Sequence, residues 1–404
     1  MKSKFPGYFK LTEREINKLW EKALFVFDAN ILLNLYRYSD ETRDDFFKIL
    51  EKVKDRIWIP HQSASEFFNN RLTVINQQEK SYEEASSSLK SIENEFKNSR
   101  QHPFITAKLL KKFSSLTKEI CEQLTESKEF HNKRINQDDI LDKIEALFNG
   151  KVGNEYEKDK LEEVYKEGES RFLDKIPPGY KDGGKKDDTS KDIHKYGDLI
   201  VWKQVLDKSK ELKKGIILIT DDRKEDWWVR FKGKTLNPRP ELKKEFQSET
   251  KQAFHMYQSD RFLEFATKYL NAEINANALQ EIRELRKLDE RRQLQELRRK
   301  RQYSKYKRAN EEIYKQKLSL EEELKYVENK KGFMERAIEE QHLILDNSDP
   351  SAFDDNRLKN LNLELQLLTR KINGIKFNLD EINRKEFNER ALRDKTMHSN
   401  TYSK

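Results

Sequence analysis

Four carboxylates stand at comparable places along the chain: Asp28 directly after an apolar run, Glu66 in the first turns of a helical stretch, Asp198 where another helix opens, and Asp222 just past a second apolar run. In an open parallel sheet the carboxyl ends of neighbouring strands lie side by side, so acids at those positions can converge on one edge. Carboxylates crowded together repel and are costly to bury, and a divalent cation between them relieves both effects. The chain has one cysteine, Cys121, and no His-rich cluster, so an oxygen-only ligand set selects a hard ion, Mg²⁺ or Mn²⁺. Such an ion suits phosphodiester hydrolysis, because it draws in a phosphate oxygen, activates water and stabilises the leaving oxygen. The competing reading of Asp28 is a helix N-cap. Asp221 and Asp226 flank Asp222 closely enough to compete for the ion, and spacing favours Asp222.

Basic residues lie beside these acids. Arg223 and Lys224 are placed for a scissile or flanking phosphate, or else for a surface ion pair with Glu225. The loop GYKDGGKK offers Lys181, Lys185 and Lys186 to phosphates and Asp182 as a further substrate contact; a solvated basic loop is the alternative. Trp227 and Trp228 could stack bases, whereas Trp202, on an apolar helix face, reads as core.

The elements that must position these residues follow from periodicity. Ala23–Phe27, Arg56–Pro60, Gly215–Thr220 and Phe254–Tyr257 are short apolar runs of the kind that form strands buried on both faces. Amphipathic helices separate them, and Thr12 with Glu15 has capping-box spacing for a helix before the first strand. Ser63 is the expected N-cap of the helix carrying Glu66. Residues 76–175 read as a helical insertion, with Phe104, Leu109, Leu110, Phe113 and Leu116 as its core contacts. The expected fold is α/β, with a central parallel sheet.

From about residue 271 the character changes. Arg298, Arg299 and Arg301 lie in a basic helix that could track nucleic acid. Further on, Leu358, Leu361, Leu365, Leu368, Ile372, Ile375, Leu379 and Ile382 repeat at spacings of three and four, the seam of a coiled coil. An earlier run from Ile313 to Leu345 has a compatible register, and 346–351 reads as a turn. An antiparallel hairpin is the simplest result, and self-association or a protein partner through the same seam fits the pattern equally. The division is therefore 1–270 for the α/β domain and 271–404 for the coiled-coil region.

The chain of 404 residues is 38% charged with a net charge of +8, which favours a polyanionic partner such as RNA or DNA. A single cysteine and the absence of a signal-like or membrane-spanning run lead to the expectation of a cytoplasmic protein with no membrane partner.

FVFDANILLNLY, the Ser65-Glu66 pair after IWIPHQSAS, YGDLIVW and ILITDDRKEDWW resemble, in order, the acidic motifs of PIN-like nuclease domains, specifically the larger bacterial branch with a helical insertion. The resemblance covers roughly residues 5–268 and excludes the tail. It implies a three-layer α/β/α sandwich and a Mg²⁺- or Mn²⁺-dependent nuclease. Asp28, Glu66, Asp198 and Asp222 match the metal-site acids, Thr220 the hydroxyl residue of a T-x-D pattern, and Asn30 the polar residue after the first acid. The resemblance also implies RNA as the first substrate, with DNA as runner-up, and a role in antiphage defence or a toxin-like response. A non-catalytic nucleic-acid-binding or scaffold protein is the alternative from a different class.

Overall fold

The computed structural model describes residues 1, 5–98, 105–182, 193–347 and 355–399. The Thr12–Glu15 capping box starts α1 (Glu13–Lys22), with the Thr12 hydroxyl accepting from the Glu15 amide and Glu15 accepting from the Thr12 amide. There follow β1 (Leu24–Phe27), α2 (Ala29–Asn34), α3 (Asp40–Lys52) and β2 (Ile57–Trp58). Four helices then intervene: α4 (His61–Lys97), α5 (Ala107–Lys133), α6 (Asp139–Phe148) and α7 (Lys158–Leu173). The alternation resumes with α8 (Gly197–Leu212) and β3 (Ile216–Ile219), the hairpin β4 (Trp228–Phe231) and β5 (Lys234–Pro238), α9 (Pro240–Thr250), β6 (Phe254–Tyr257) and α10 (Ser259–Leu270).

β2, β1, β3 and β6 form one parallel sheet in that order, with Phe25 opposite Ile57, Phe27 opposite Ile219 and Ile219 opposite Tyr257. Alternate residues feed two separate cores, as the two-residue period of a strand requires. Phe25, Phe27, Ile217 and Ile219 pack with Trp20, Phe46 and Phe262 on one face, and Leu24, Val26, Ile216 and Leu218 pack with Trp202, Leu242 and Phe246 on the other. The result is the three-layer α/β/α sandwich. The chain runs from β1 outward to β2 and returns on the other side of β1 as β3, so the strand order reverses between β1 and β3. A crevice opens at the carboxyl ends of the strands at such a switch point.

Two of the core contacts expected for the insertion are not made. Leu109 and Leu116 are exposed, because α5 turns Thr117 and Cys121, four residues apart, toward its buried side; Leu110 and Phe113 are partly buried, with Phe113 against Phe96. Phe104 lies outside the described residues. Ser63 is not the N-cap of α4, which starts two residues earlier after Pro60.

The chain divides into Met1–Lys287 and Leu288–Lys404. Within the first unit, the opening turns of α11 (Ala276–Asn347) bury Ala278 and Ile282, while Arg283 and Arg286 both pair with Asp260 on α10. Within the second unit, α11 packs along α12 (Asp355–Ser399) through Val327, Leu368, Ile372 and Ile375. Ion pairs join Glu323 to Lys371 and Lys330 to Glu364, so positions rise on one helix as they fall on the other, and the hairpin is antiparallel. The turn expected at 346–351 lies outside the described residues from 348 onward. No helix among the described residues is long and apolar enough to cross a membrane.

Candidate metal centre

β1 hands over to α2 at Asp28, whose carboxylate lies at the β1/β3 crevice. Its Oδ1 accepts from the Ala29 amide at 2.8 Å and from the Ser63 hydroxyl at 3.1 Å, and its Oδ2 accepts from the Thr220 hydroxyl at 2.7 Å and from Asn30 Nδ2 at 2.6 Å. Asp28 thus caps α2 and also binds groups from α4 and from the residue that follows β3. Thr220 is the hub: it donates to Asp28 while its oxygen accepts from the Asp222 amide at 3.0 Å, tying the two acids together. Asn30 Oδ1 accepts from the Asp221 amide at 2.9 Å. Asn30 and Thr220 therefore orient the acids across the crevice.

Asp198, in the first turn of α8, and Asp222, past β3, meet at Lys224. The ammonium of Lys224 lies 2.8 Å from Asp182 Oδ2, from Asp198 Oδ2 and from Asp222 Oδ2. Any two of these three oxygens are consequently no farther apart than twice that distance. Glu66 approaches from α4: its Oε1 accepts from Gln62 at 2.8 Å and lies 2.9 Å from where a side chain on Gly197 would begin. Any residue but glycine at 197 would push the Glu66 carboxylate away from the start of α8.

Burial raises the pKa of Asp28, against the pull of the Thr220 hydrogen bond, and the nearby Asp198 charge adds to the rise. Glu66 is pushed up to about 7 by burial and then by the Asp28 charge. Asp198 and Asp222 are raised by burial, with Lys224 opposing. Burial alone would lower Lys224, but Asp198, Asp222 and Asp182 outweigh it and hold the ammonium charged. The pattern is that of an acid-rich edge with too little positive charge of its own.

The structure separates the three neighbouring acids. Asp221 accepts from the Ser259 amide and hydroxyl and from Asn34 Nδ2, which commits it to the start of α10. Asp226 is fully buried and accepts from the Gly179 and Lys181 amides, fixing the loop before α8. Asp222 is the acid of the three that reaches Lys224. Lys224 itself is not presented to a phosphate as the sequence suggested, since the acids enclose it. Lys181 pairs with Glu225 at 2.7 Å, Arg223 is half-buried, and Lys185 lies outside the described residues. Trp227 and Trp228 are buried, with Trp227 edge-on to Trp202 and the Trp228 ring nitrogen donating to the Asp222 carbonyl, so neither offers a face to a base.

Sequence reasoning missed Ser63 as a partner of Asp28 and Asp182 as a partner of Lys224. Ser63 is three residues before Glu66 on one helix, and that spacing puts both on one face. Among the described residues, no group of three or more His, Cys, Asp or Glu side chains could hold a metal ion as placed. The donor set still fits a hard divalent ion: carboxylate oxygens from three segments already surround one cationic atom, and the Lys224 ammonium stands in for an ion there.

No curated protein and no solved structure matches the chain. PIN-like domains are generally metal-dependent nucleases. Residues 24–242, which span β1 to the start of α9 and more than half of the 404, match the family model of the PIN like domain, and the chain belongs to that family.

Proposed function

We propose that the protein is a metal-dependent endonuclease that hydrolyses phosphodiester bonds, with single-stranded RNA as the first substrate and DNA as the second. The observation that supports this reading is the set of carboxylates Asp28, Glu66, Asp198 and Asp222 at the switch point, all with raised pKa values, two of which, Asp198 and Asp222, share the Lys224 ammonium. Asp28, Glu66, Asp198 and Asp222 are the residues that would hold Mg²⁺ or Mn²⁺. A bound ion supplies charge neutralisation at the phosphate and lowers the pKa of water. Ser63, Thr220 and Asn30 fix the Asp28 carboxylate, and Gln62 fixes that of Glu66. Arg298, Arg299 and Arg301, all exposed on α11, add a basic stripe for a phosphate backbone. A defence or toxin-like role rests on the family resemblance.

Cleavage of labelled single- and double-stranded RNA and DNA with Mg²⁺, Mn²⁺ or chelator tests the reading. Asp28→Asn, nearly isosteric, is expected to lose at least a hundredfold in metal-dependent cleavage while it still folds, as circular dichroism reads; equal cleavage by the variant overturns the assignment. The second reading, a nucleic-acid-binding scaffold acting through the coiled coil, draws on Lys224 already occupying the place of a cation. It requires that Mn²⁺ calorimetry detect no binding that Asp28→Asn abolishes.

A further inference from the structure

On the far side of Asn34 from the acids, where the α2–α3 connection meets α4 and α5, a cleft of about 490 Å³ is lined by Arg37, Arg43, Tyr82, Phe130, His131 and Arg134, with Asp40 and Glu126 as its acids. That volume falls within the usual range for small-molecule sites. Arg43 and Arg134 are buried, and Arg43 pairs with Asp40, whose own side chain is 75% exposed and so neutralises it weakly. Arg134 binds Asp139 and lies over the ring of Phe130 at 5.0 Å. Phe130 is itself 55% exposed, so part of its ring is open to the cleft.

His131 supplies a separate observation. Its Nδ1 is 3.0 Å from Arg134 Nη1, and a guanidinium can only donate, so Nδ1 accepts and the proton resides on Nε2. Burial, helped by the charges of Arg134 and Arg43, pushes the ring down to about 4, so it is neutral at physiological pH. Nε2 is buried with no hydrogen-bond partner, and the residue is 4% exposed. The wall of the cleft thus carries a buried donor without an acceptor, beside two buried guanidinium groups and two aromatic rings.

We infer that this cleft binds a nucleotide, with the base against Tyr82 and Phe130 and phosphate oxygens facing the arginines and His131. Planar rings next to guanidinium forks match the two halves of that ligand, a π-faced base and an anion. The position favours a nucleotide of the strand being cut. Asn34 accepts from Arg37 on the cleft wall at 3.1 Å and donates to Asp221 beside the acids at 3.0 Å, so the cleft adjoins the carboxyl edge. The assignment of the strand rests on the nuclease reading; the nucleotide site does not.

Fluorescence or calorimetric titration in chelator, with AMP in one arm and a short single-stranded oligonucleotide in the other, tests it without cleavage. Phe130→Ala, at an exposed position, is expected to weaken binding about tenfold, and Ser127→Glu, which adds a carboxylate to the lining, by at least as much. AMP binding identifies a free-nucleotide site, and oligonucleotide binding alone identifies a strand subsite; either supports the proposal when both variants reduce it. No binding in either arm, or binding that both folded variants leave unchanged, overturns it. Asp28→Asn leaves AMP binding intact, so a failed nuclease reading and a failed cleft give different results.

Discussion

Lys224→Met keeps the reach of the side chain and removes the ammonium that Asp182, Asp198 and Asp222 each meet at 2.8 Å. The three carboxylates are 12%, 22% and 16% exposed and the lysine 29%, so these pairs are screened only in part. Breaking a buried ion pair by removing one partner costs about 3–5 kcal/mol. The acids can relieve some of this by taking up protons, which their raised pKa values favour, and the lower end of about 3 kcal/mol is the expectation. At about 2–4 °C per kcal/mol for a domain of this size, the variant melts roughly 6–12 °C below wild type in chelator. Mn²⁺ at a hundred times its dissociation constant stabilises by about 2.7 kcal/mol, and it binds more tightly once the ammonium no longer competes. The assay is thermal melting with and without Mn²⁺, backed by calorimetry. An unchanged melting temperature in chelator, or equal Mn²⁺ stabilisation of both proteins, would show that the ammonium and the ion do not share these carboxylates.

Glu66 gives a pH signature. Its folded pKa of about 7 exceeds its ordinary 4.5, so the folded state binds more protons, and this stability is present below 4.5 and lost as pH rises through 7. In chelator, wild-type melting temperature should fall over that window, by an amount equivalent to up to about 3 kcal/mol, while Glu66→Gln shows a shallower fall set by Asp28, Asp198 and Asp222; parallel profiles would count against it. Asp260, 3% exposed, holds Arg283 and Arg286 of α11, and Asp260→Asn is expected to lower urea stability of the α/β unit by about 2 kcal/mol, since the arginines regain water. A urea midpoint equal to wild type would mean that these pairs do not secure the start of α11.

The sheet was readable because parallel strands buried on both faces leave continuous apolar runs, and the acids were readable because each follows such a run or opens a helix. The hairpin β4–β5 was not, since Arg230, Phe231 and Lys234 are exposed and its residues show no clean alternation. Trp227 and Trp228 resembled base-stacking residues next to the acids, yet ring contacts from distant Trp202 and a carbonyl partner bury them. Lys224 was misplaced for the same reason. Adjacency to acids in sequence reads as a phosphate contact, whereas its three partners come from three separate segments and are brought together by the fold. The segment that contributes Asp222 also contributes the countercharge two residues later. A chain lacking that lysine would need either a permanently bound cation or protonated acids to keep the carboxyl edge of β3 closed against α8.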